Sequence, residues 1–191
     1  GPHLPFDTDT RVAATLAQQF AGQAAAMWPL ARGEVLVAPP ITITASGEHA
    51  GFPGTLSIGT EVMTELIVEL VRSADWAAGV VLVNGHGGNA AAVRRAVAQS
   101  IADGRRVLAW WPHVTGADAH AGHTETSLML AIDPGSVRLD QAAAGRREHV
   151  SELIDDLRRG GVSAVSPNGV LGDPTTATAA GSVTTAWAPA A

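Results

Sequence analysis

The sequence contains no cysteine, which excludes disulfides, thiolate zinc sites and a cysteine nucleophile. It has no run of about 18 apolar residues, so it predicts no membrane-spanning helix. We see neither a signal peptide nor a lipidation motif in these residues, and we expect a cytoplasmic protein with no membrane partner; residues missing from the N-terminus could still have carried a signal. Basic residues are few: 12 Lys and Arg stand against 18 Asp and Glu, and the net charge of −6 argues against nucleic acid as a partner.

The composition that remains predicts one domain over residues 1–191. The 191 residues are 46% hydrophobic and only 16% charged, which is typical of a globular chain long enough to bury a core. No internal repeat occurs. The chain has no initiator Met and begins directly with the polar loop GPHLPFDTDT, so we expect the biological chain to start earlier.

Helical and strand patterns alternate along the chain. Strands are predicted over 34–37, 80–83 and 106–110, and helices over 10–27, 60–73, 89–103, 124–132 and 146–159, with a weak last helix near 175–181. Such alternation predicts an α/β sandwich with a mostly parallel sheet. Residues 41–58 form a long loop rich in Gly and Pro, and loops of this length within a compact domain usually serve a site.

The most informative stretch is GVVLVNGHGGN, residues 79–89. Its four consecutive apolar residues, 80–83, predict a buried strand, which Asn84 and Gly85 end. His86 follows on a glycine-flanked turn just before a helix. Because α/β proteins bind ligands at the carboxyl ends of their strands, we interpret His86 as a functional residue. The alternative is that His86 only caps the next helix.

Residues suited to metal binding or acid–base chemistry fall into four clusters on separate loops. The clusters are His3, Asp7 and Asp9; Glu48 and His49; His86; and His113, Asp118, His120, His123 and Glu125. Imidazoles and carboxylates without thiolates suit a hydrolytic Zn, Mn or Fe centre. The alternative is that the aspartates cap the first helix and that the histidines are ordinary polar loop residues.

The segment from His120 to Glu125 holds the candidate acid–base pair. His120 precedes a turn at Gly122 and can point toward whatever Glu125 faces, and a histidine beside a metal-bound water is a natural acid or base. Glu125 also falls in the first turn of a predicted helix, where a carboxylate stabilises the helix dipole. This second interpretation of Glu125 stays open from the residues alone.

Five stretches, spread over nearly the whole chain, together resemble the creatininase family of metal-dependent amidohydrolases in the family's own order. They are GPHLPFDTD (1–9), GEHAGFPGTLSIG (47–59), VNGHGGN (83–89), HAGHTETSLML (120–130) and NGVLGDPTTAT (168–178). The resemblance implies a three-layer α/β/α sandwich with a mostly parallel sheet. It also implies a homo-oligomer, commonly a hexamer, and two divalent metal ions (Zn, Mn or Fe) bridged by one aspartate.

The resemblance also implies roles for individual residues. Asp9 matches the bridging aspartate and His86 the histidine ligand, whereas Gly88 stands where creatininase itself has a further glutamate ligand. We predict that Glu125 replaces that carboxylate as a metal ligand and takes part in catalysis, and that His120 is the catalytic acid–base residue. The family's Glu-x-His ligands precede the first glycine of this chain, so we expect the first strand and first metal-ligand motif to be missing.

The resemblance is strongest, through HAGHTETSLML and NGVLGDP, to the family branch of mycofactocin biosynthesis. It implies a peptidase that releases a Val-Tyr-derived C-terminal dipeptide from a modified precursor peptide. We therefore predict a metal-dependent hydrolase of amide or peptide bonds, acting on a small peptide or small-molecule amide. Two alternatives are a hydrolase of a small cyclic amide (a formamidopyrimidine, or creatinine, against which Gly88 counts) and a metal-free structural or regulatory homologue. Trp110 and Trp111 are available to stack on a substrate ring, although either also suits the core.

Overall fold

The computed structural model describes residues 1–27, 34–114 and 116–179. Its helices are α1 (Thr8–Met27), α2 (Gly59–Ser73), α3 (Ala90–Ala102), α4 (His123–Ile132) and α5 (Val150–Val165), and its strands are β1 (Val80–Val83) and β2 (Val107–Trp110). Short 3₁₀ helices lie at Gly47–His49, Gly87–Asn89, Pro134–Ser136, Leu139–Gln141 and Pro174–Thr176. None of the helices in these described ranges is long and apolar enough to cross a membrane.

The two strands form a parallel pair, as predicted. Val80 lies opposite Val107 and Val83 opposite Trp110, so the carboxyl ends of β1 and β2 meet at one edge. Parallel neighbours need a long crossover between them, and α3 provides it. The turn that carries His86 leaves the sheet at this edge.

Helices cover both faces of the strand pair. Because successive side chains of a strand point to opposite faces, Val80 and Leu82 pack against α2 and α3. Val83 and Trp110 lie on the other face and pack against α1 and α4. This arrangement confirms the three-layer α/β/α sandwich. Trp110 is buried in that second cluster, whereas Trp111 packs at the edge of the first.

Three local predictions differ from the structure. The strand predicted over 34–37 is wrong, because this segment pairs with no described strand and its Val35 and Leu36 are exposed. The helix predicted over 146–159 begins only at Val150, since His149 caps it by accepting the Ser151 N–H. In place of the last helix, predicted near 175–181, the described residues contain a single 3₁₀ turn at Pro174–Thr176. Residues 180–181 of the predicted range lie outside the described residues.

Candidate metal centre

His86 lies between two carboxylates beyond the carboxyl end of β1. Its Nδ1 is 2.9 Å from Asp9 Oδ2, and its Nε2 is 2.9 Å from Glu48 Oε1. The Asn84 side chain donates a hydrogen bond of 2.8 Å to the His86 carbonyl oxygen and so holds the turn. The His86 side chain makes no capping hydrogen bond to the 3₁₀ helix that follows it. The structure therefore favours a functional position for His86 over a helix cap.

Asp9 reaches His86 because α1 packs closely against the turn. A Cβ atom at Gly85 would lie 2.6 Å from the Asp9 carbonyl oxygen, so only glycine permits this approach. Asp9 lies within the first turn of α1, and its carboxylate faces the imidazole. Asp7 is different: it forms a 2.8 Å ion pair with Arg11 on the helix surface.

The third contribution comes from the 3₁₀ helix Gly47–His49 in the long loop. The His49 ring centroid is 5.8 Å from that of His86 and 4.6 Å from that of His120. Glu48, His49 and His86 each offer one ligand atom, and these atoms lie within 4.8 Å of one another, a spacing suited to one metal ion. From the sequence, Glu48 and His49 form a cluster without an assigned role, and the length of their loop is the signal that points to a site.

A chain of buried amides ties this loop to the His86 turn. The Ala45 backbone N–H donates to Asn89 Oδ1 at 3.1 Å, and Asn89 Nδ2 donates to Asn84 Oδ1 at 3.1 Å. Both asparagines are buried. Because an unpaired buried polar group destabilises the folded protein, these hydrogen bonds fix the loop relative to the turn.

His120 and Glu125 lie together at the start of α4. The Ala121 N–H donates to Glu125 Oε2 at 2.7 Å, and His120 Nδ1 is 3.7 Å from the same oxygen. Ala121 has a φ of 50°, a left-handed conformation that is uncommon for a residue with a side chain. The first two N–H groups of α4 are instead satisfied by Asp118, whose carboxylate accepts from both. Glu125 therefore does not cap these groups, although it lies in the first turn of α4.

The remaining cluster residues have other surroundings. His3 is fully buried and its Nε2 is 2.8 Å from Thr126 Oγ1. His123 Nδ1 lies 3.3 Å from Thr176 Oγ1. His113 is exposed. The structure thus brings together all the predicted site residues, namely Asp9, His86, His120 and Glu125, and adds Glu48 and His49 to them.

The two carboxylates that flank His86 stabilise a positive charge on its imidazole. Burial disfavours charge on His86, but its hydrogen bonds to Asp9 and Glu48 outweigh burial and raise its pKa to about 10. Burial and the charge of Asp9 raise the pKa of Glu125 to about 7. Burial and the nearby His49 lower the pKa of His120 to about 3. A metal ion would take the place of the proton on the ligating imidazole nitrogen, and a set of carboxylates and imidazoles fits a divalent Zn, Mn or Fe ion.

Comparison with known proteins gives the family. The creatininase model, described as creatinine amidohydrolase, matches residues 1–186. The chain belongs to the creatininase family. This family member is 53% identical to a mycofactocin precursor peptide peptidase of Mycobacterium tuberculosis over 183 residues, which are 94% of this chain and 72% of that protein. The peptidase of the same name from Mycolicibacterium smegmatis is also 53% identical, over 182 residues and with the same coverage.

Solved structures confirm the creatininase fold. A Bacteroides fragilis protein assigned as a creatinine amidohydrolase matches with a TM-score of 0.75 at 22% identity, over 94% of this chain and 76% of that one. A creatinine amidohydrolase (creatininase) matches with a TM-score of 0.65 at 19% identity, over 95% and 78%. A structure described as creatininase Mn gives 0.64 at 21%, over 93% and 77%. At these sequence identities the structural similarity supports the fold alone.

Proposed function

We propose that this creatininase-family hydrolase is a metal-dependent peptidase that releases the C-terminal dipeptide of a modified mycofactocin precursor peptide. The substrate is inferred from relatives with that name at 53% identity over 94% of the chain. The observation that carries the proposal is the convergence of Asp9, His86, His120 and Glu125 beyond the carboxyl end of β1. Ligands of α/β proteins bind at this edge of the sheet.

Asp9, His86 and Glu125 are the residues that we propose to hold two divalent ions, with Asp9 shared between them. Asp9 lies 2.9 Å from His86, and its charge also acts on Glu125, which supports a shared role for Asp9. Divalent ions at such a centre polarise a carbonyl group and lower the pKa of bound water. The same chemistry serves any amide substrate, so the peptide specificity rests on the relatives and not on the centre.

His120 is the acid–base residue of this proposal. Its side chain is 24% exposed and so can be reached by a substrate. Glu125 is held by the Ala121 N–H and lies 3.7 Å from His120 Nδ1, while the His49 ring packs 4.6 Å away and restricts the orientation of the imidazole. Because its lowered pKa keeps His120 neutral, it would first accept a proton from the attacking water and then donate that proton to the nitrogen that leaves when the peptide bond breaks.

The test is release of the dipeptide from the modified precursor peptide, followed by mass spectrometry with Mn²⁺-loaded protein. Removing an acid–base group costs about 10²–10⁴ in rate, so we expect His120→Gln to lose turnover by that factor and to keep its metal content. We expect His86→Ala to lose both turnover and bound metal. His149→Gln, at the exposed cap of α5, is the control and should match the wild type in turnover and metal content.

Each alternative has its own outcome in this assay. Turnover of creatinine or of a formamidopyrimidine, without release of dipeptide, would favour the cyclic-amide hydrolase. A folded protein that neither binds metal nor turns over any of these substrates would favour the metal-free homologue. Full activity of His86→Ala would refute the assignment of the centre. A cytoplasmic location, a hexameric assembly and an upstream Glu-x-His motif stay predictions.

A further inference from the structure

We propose that Glu48 is a metal ligand of this centre and that its carboxylate fills the volume which a side chain at position 88 would otherwise occupy. The inference deepens the proposed function, because it assigns a further ligand to the same metal site. It depends on the geometry of two glycines, Gly88 and Gly161, which contact Glu48 from opposite ends.

Gly88 leaves the space in which the Glu48 carboxylate lies. A Cβ atom built on Gly88 would lie 2.1 Å from Glu48 Oε1, 2.5 Å from His86 Nε2 and 2.8 Å from the Ala45 carbonyl oxygen. Atoms that are not bonded do not approach so closely, so any side chain at this position would displace Glu48. The carboxylate therefore reaches the centre from the long loop and not from the turn that carries His86.

Within that space the carboxylate is directed at imidazole nitrogens. Glu48 Oε1 is 2.9 Å from His86 Nε2 and 3.6 Å from His49 Nε2, and the side chain is only 32% exposed. Asp9 contacts the other ring nitrogen of His86 at 2.9 Å, so the two carboxylates lie on opposite sides of the imidazole. One carboxylate and two imidazoles, with a water in the fourth position, are a known catalytic zinc ligand set.

Gly161 holds Glu48 from its backbone side. It interrupts α5 with φ 68° and ψ −174°, a conformation that is essentially restricted to glycine. A Cβ atom at Gly161 would lie 2.6 Å from the Glu48 carbonyl oxygen. The kink thus allows α5 to contact the 3₁₀ helix Gly47–His49 directly. Because the contact is independent of Gly88, two separate parts of the fold fix the position of Glu48.

The test measures the affinity of chelator-stripped protein for Mn²⁺ alone and for Zn²⁺ alone by calorimetric titration. Glu48→Gln keeps the size of the side chain and removes its charge, and we expect affinity to fall at least about 10- to 100-fold. Gly88→Ala should also weaken binding, because its Cβ displaces the unchanged Glu48 carboxylate and crowds His86 as well, so Glu48→Gln is the variant that isolates Glu48. Glu61→Gln, on α2 with a side chain 84% exposed, is the matched control and should bind as wild type.

Melting temperatures separate a ligand from a merely structural residue. A ligand role predicts that Glu48→Gln loses most of the stabilisation that the metal gives, with little change in the metal-free melting temperature. A structure of the Zn²⁺-loaded wild type decides independently of any variant: a Glu48 oxygen about 2.0–2.2 Å from the ion supports the proposal, and one beyond about 3.5 Å overturns it.

The outcomes distinguish this inference from the proposed function. Wild-type affinity in Glu48→Gln, together with loss of binding in His86→Ala, overturns the role of Glu48 and leaves a metal-dependent hydrolase. A wild-type protein that binds neither ion overturns both.

Discussion

Replacing Gly161 with alanine perturbs the centre from outside its ligand set. The substitution adds one methyl group to the kink of α5, 2.6 Å from the Glu48 carbonyl oxygen, and changes no charge. Gly47→Ala is the matched control, because Gly47 lies in the same 3₁₀ helix as Glu48 and a Cβ there meets no atom within 4 Å. Both variants add one methyl group, Gly161→Ala beside the loop and Gly47→Ala within it. Only the methyl group of Gly161→Ala collides with the backbone of Glu48.

Two costs determine the size of the effect of Gly161→Ala. A residue with a side chain in this backbone conformation costs about 1–3 kcal/mol in strain. In addition, the Glu48 carbonyl must move from 2.6 Å to at least 3.0 Å from the new methyl group, a shift of 0.4 Å. Metal–ligand distances tolerate only about ±0.2 Å, so we expect a shift of this size to weaken metal affinity by about tenfold. A domain with the usual stability of about 5–15 kcal/mol stays folded.

The assays are urea unfolding of the metal-free protein and titration with Mn²⁺. We expect Gly161→Ala to lower the free energy of unfolding by about 1–3 kcal/mol and to bind Mn²⁺ about tenfold more weakly. We expect Gly47→Ala to match the wild type in Mn²⁺ affinity. If Gly161→Ala loses stability and still binds Mn²⁺ as tightly as the wild type, the kink does not position Glu48 and the reasoning is refuted.

Two further substitutions test the supports around the ligands. Asp118→Ala removes the acceptor of the first two N–H groups of α4, so urea unfolding should show a loss of about 1–2 kcal/mol, whereas the exposed Asp155→Ala should show none. Asn89→Ala leaves a buried N–H and a buried amide oxygen unpaired, and we expect a loss of about 2–4 kcal/mol together with weaker Mn²⁺ binding. Wild-type stability of either variant would contradict the corresponding hydrogen bonds.

The sequence predicts the position of His86 because the determining signals are local. Four apolar residues, a strand-ending Asn-Gly pair and two glycines after the histidine lie within one short stretch, and β1 and its turn follow this pattern. Asp9 enters through the family resemblance, since nothing in its spacing says that α1 will pack on Gly85. The three-layer fold likewise follows from alternating helix and strand patterns and from that resemblance.

Glu48 is harder to predict, because its position depends on contacts between distant parts of the chain. The volume above Gly88 is visible only once the long loop has folded over the His86 turn. The kink at Gly161 lies within α5 as the structure has it, but the sequence pattern predicts a helix that ends at residue 159, two residues before the kink. The strand predicted over 34–37 fails for a related reason: a local pattern does not supply a neighbouring strand, and without one no ladder forms.

The proposed ligands come from different kinds of structural element. Asp9 lies on a long helix and His86 on a turn fixed by buried asparagines, so both are held by the packed core. Glu48 and His49 instead belong to a loop, which is the part of a fold that tolerates change most readily. A carboxylate supplied from the loop leaves the helix and the turn unchanged. A fold of this kind can therefore alter its metal ligands and the shape of its pocket through one segment, while the sheet edge that positions His86 stays the same.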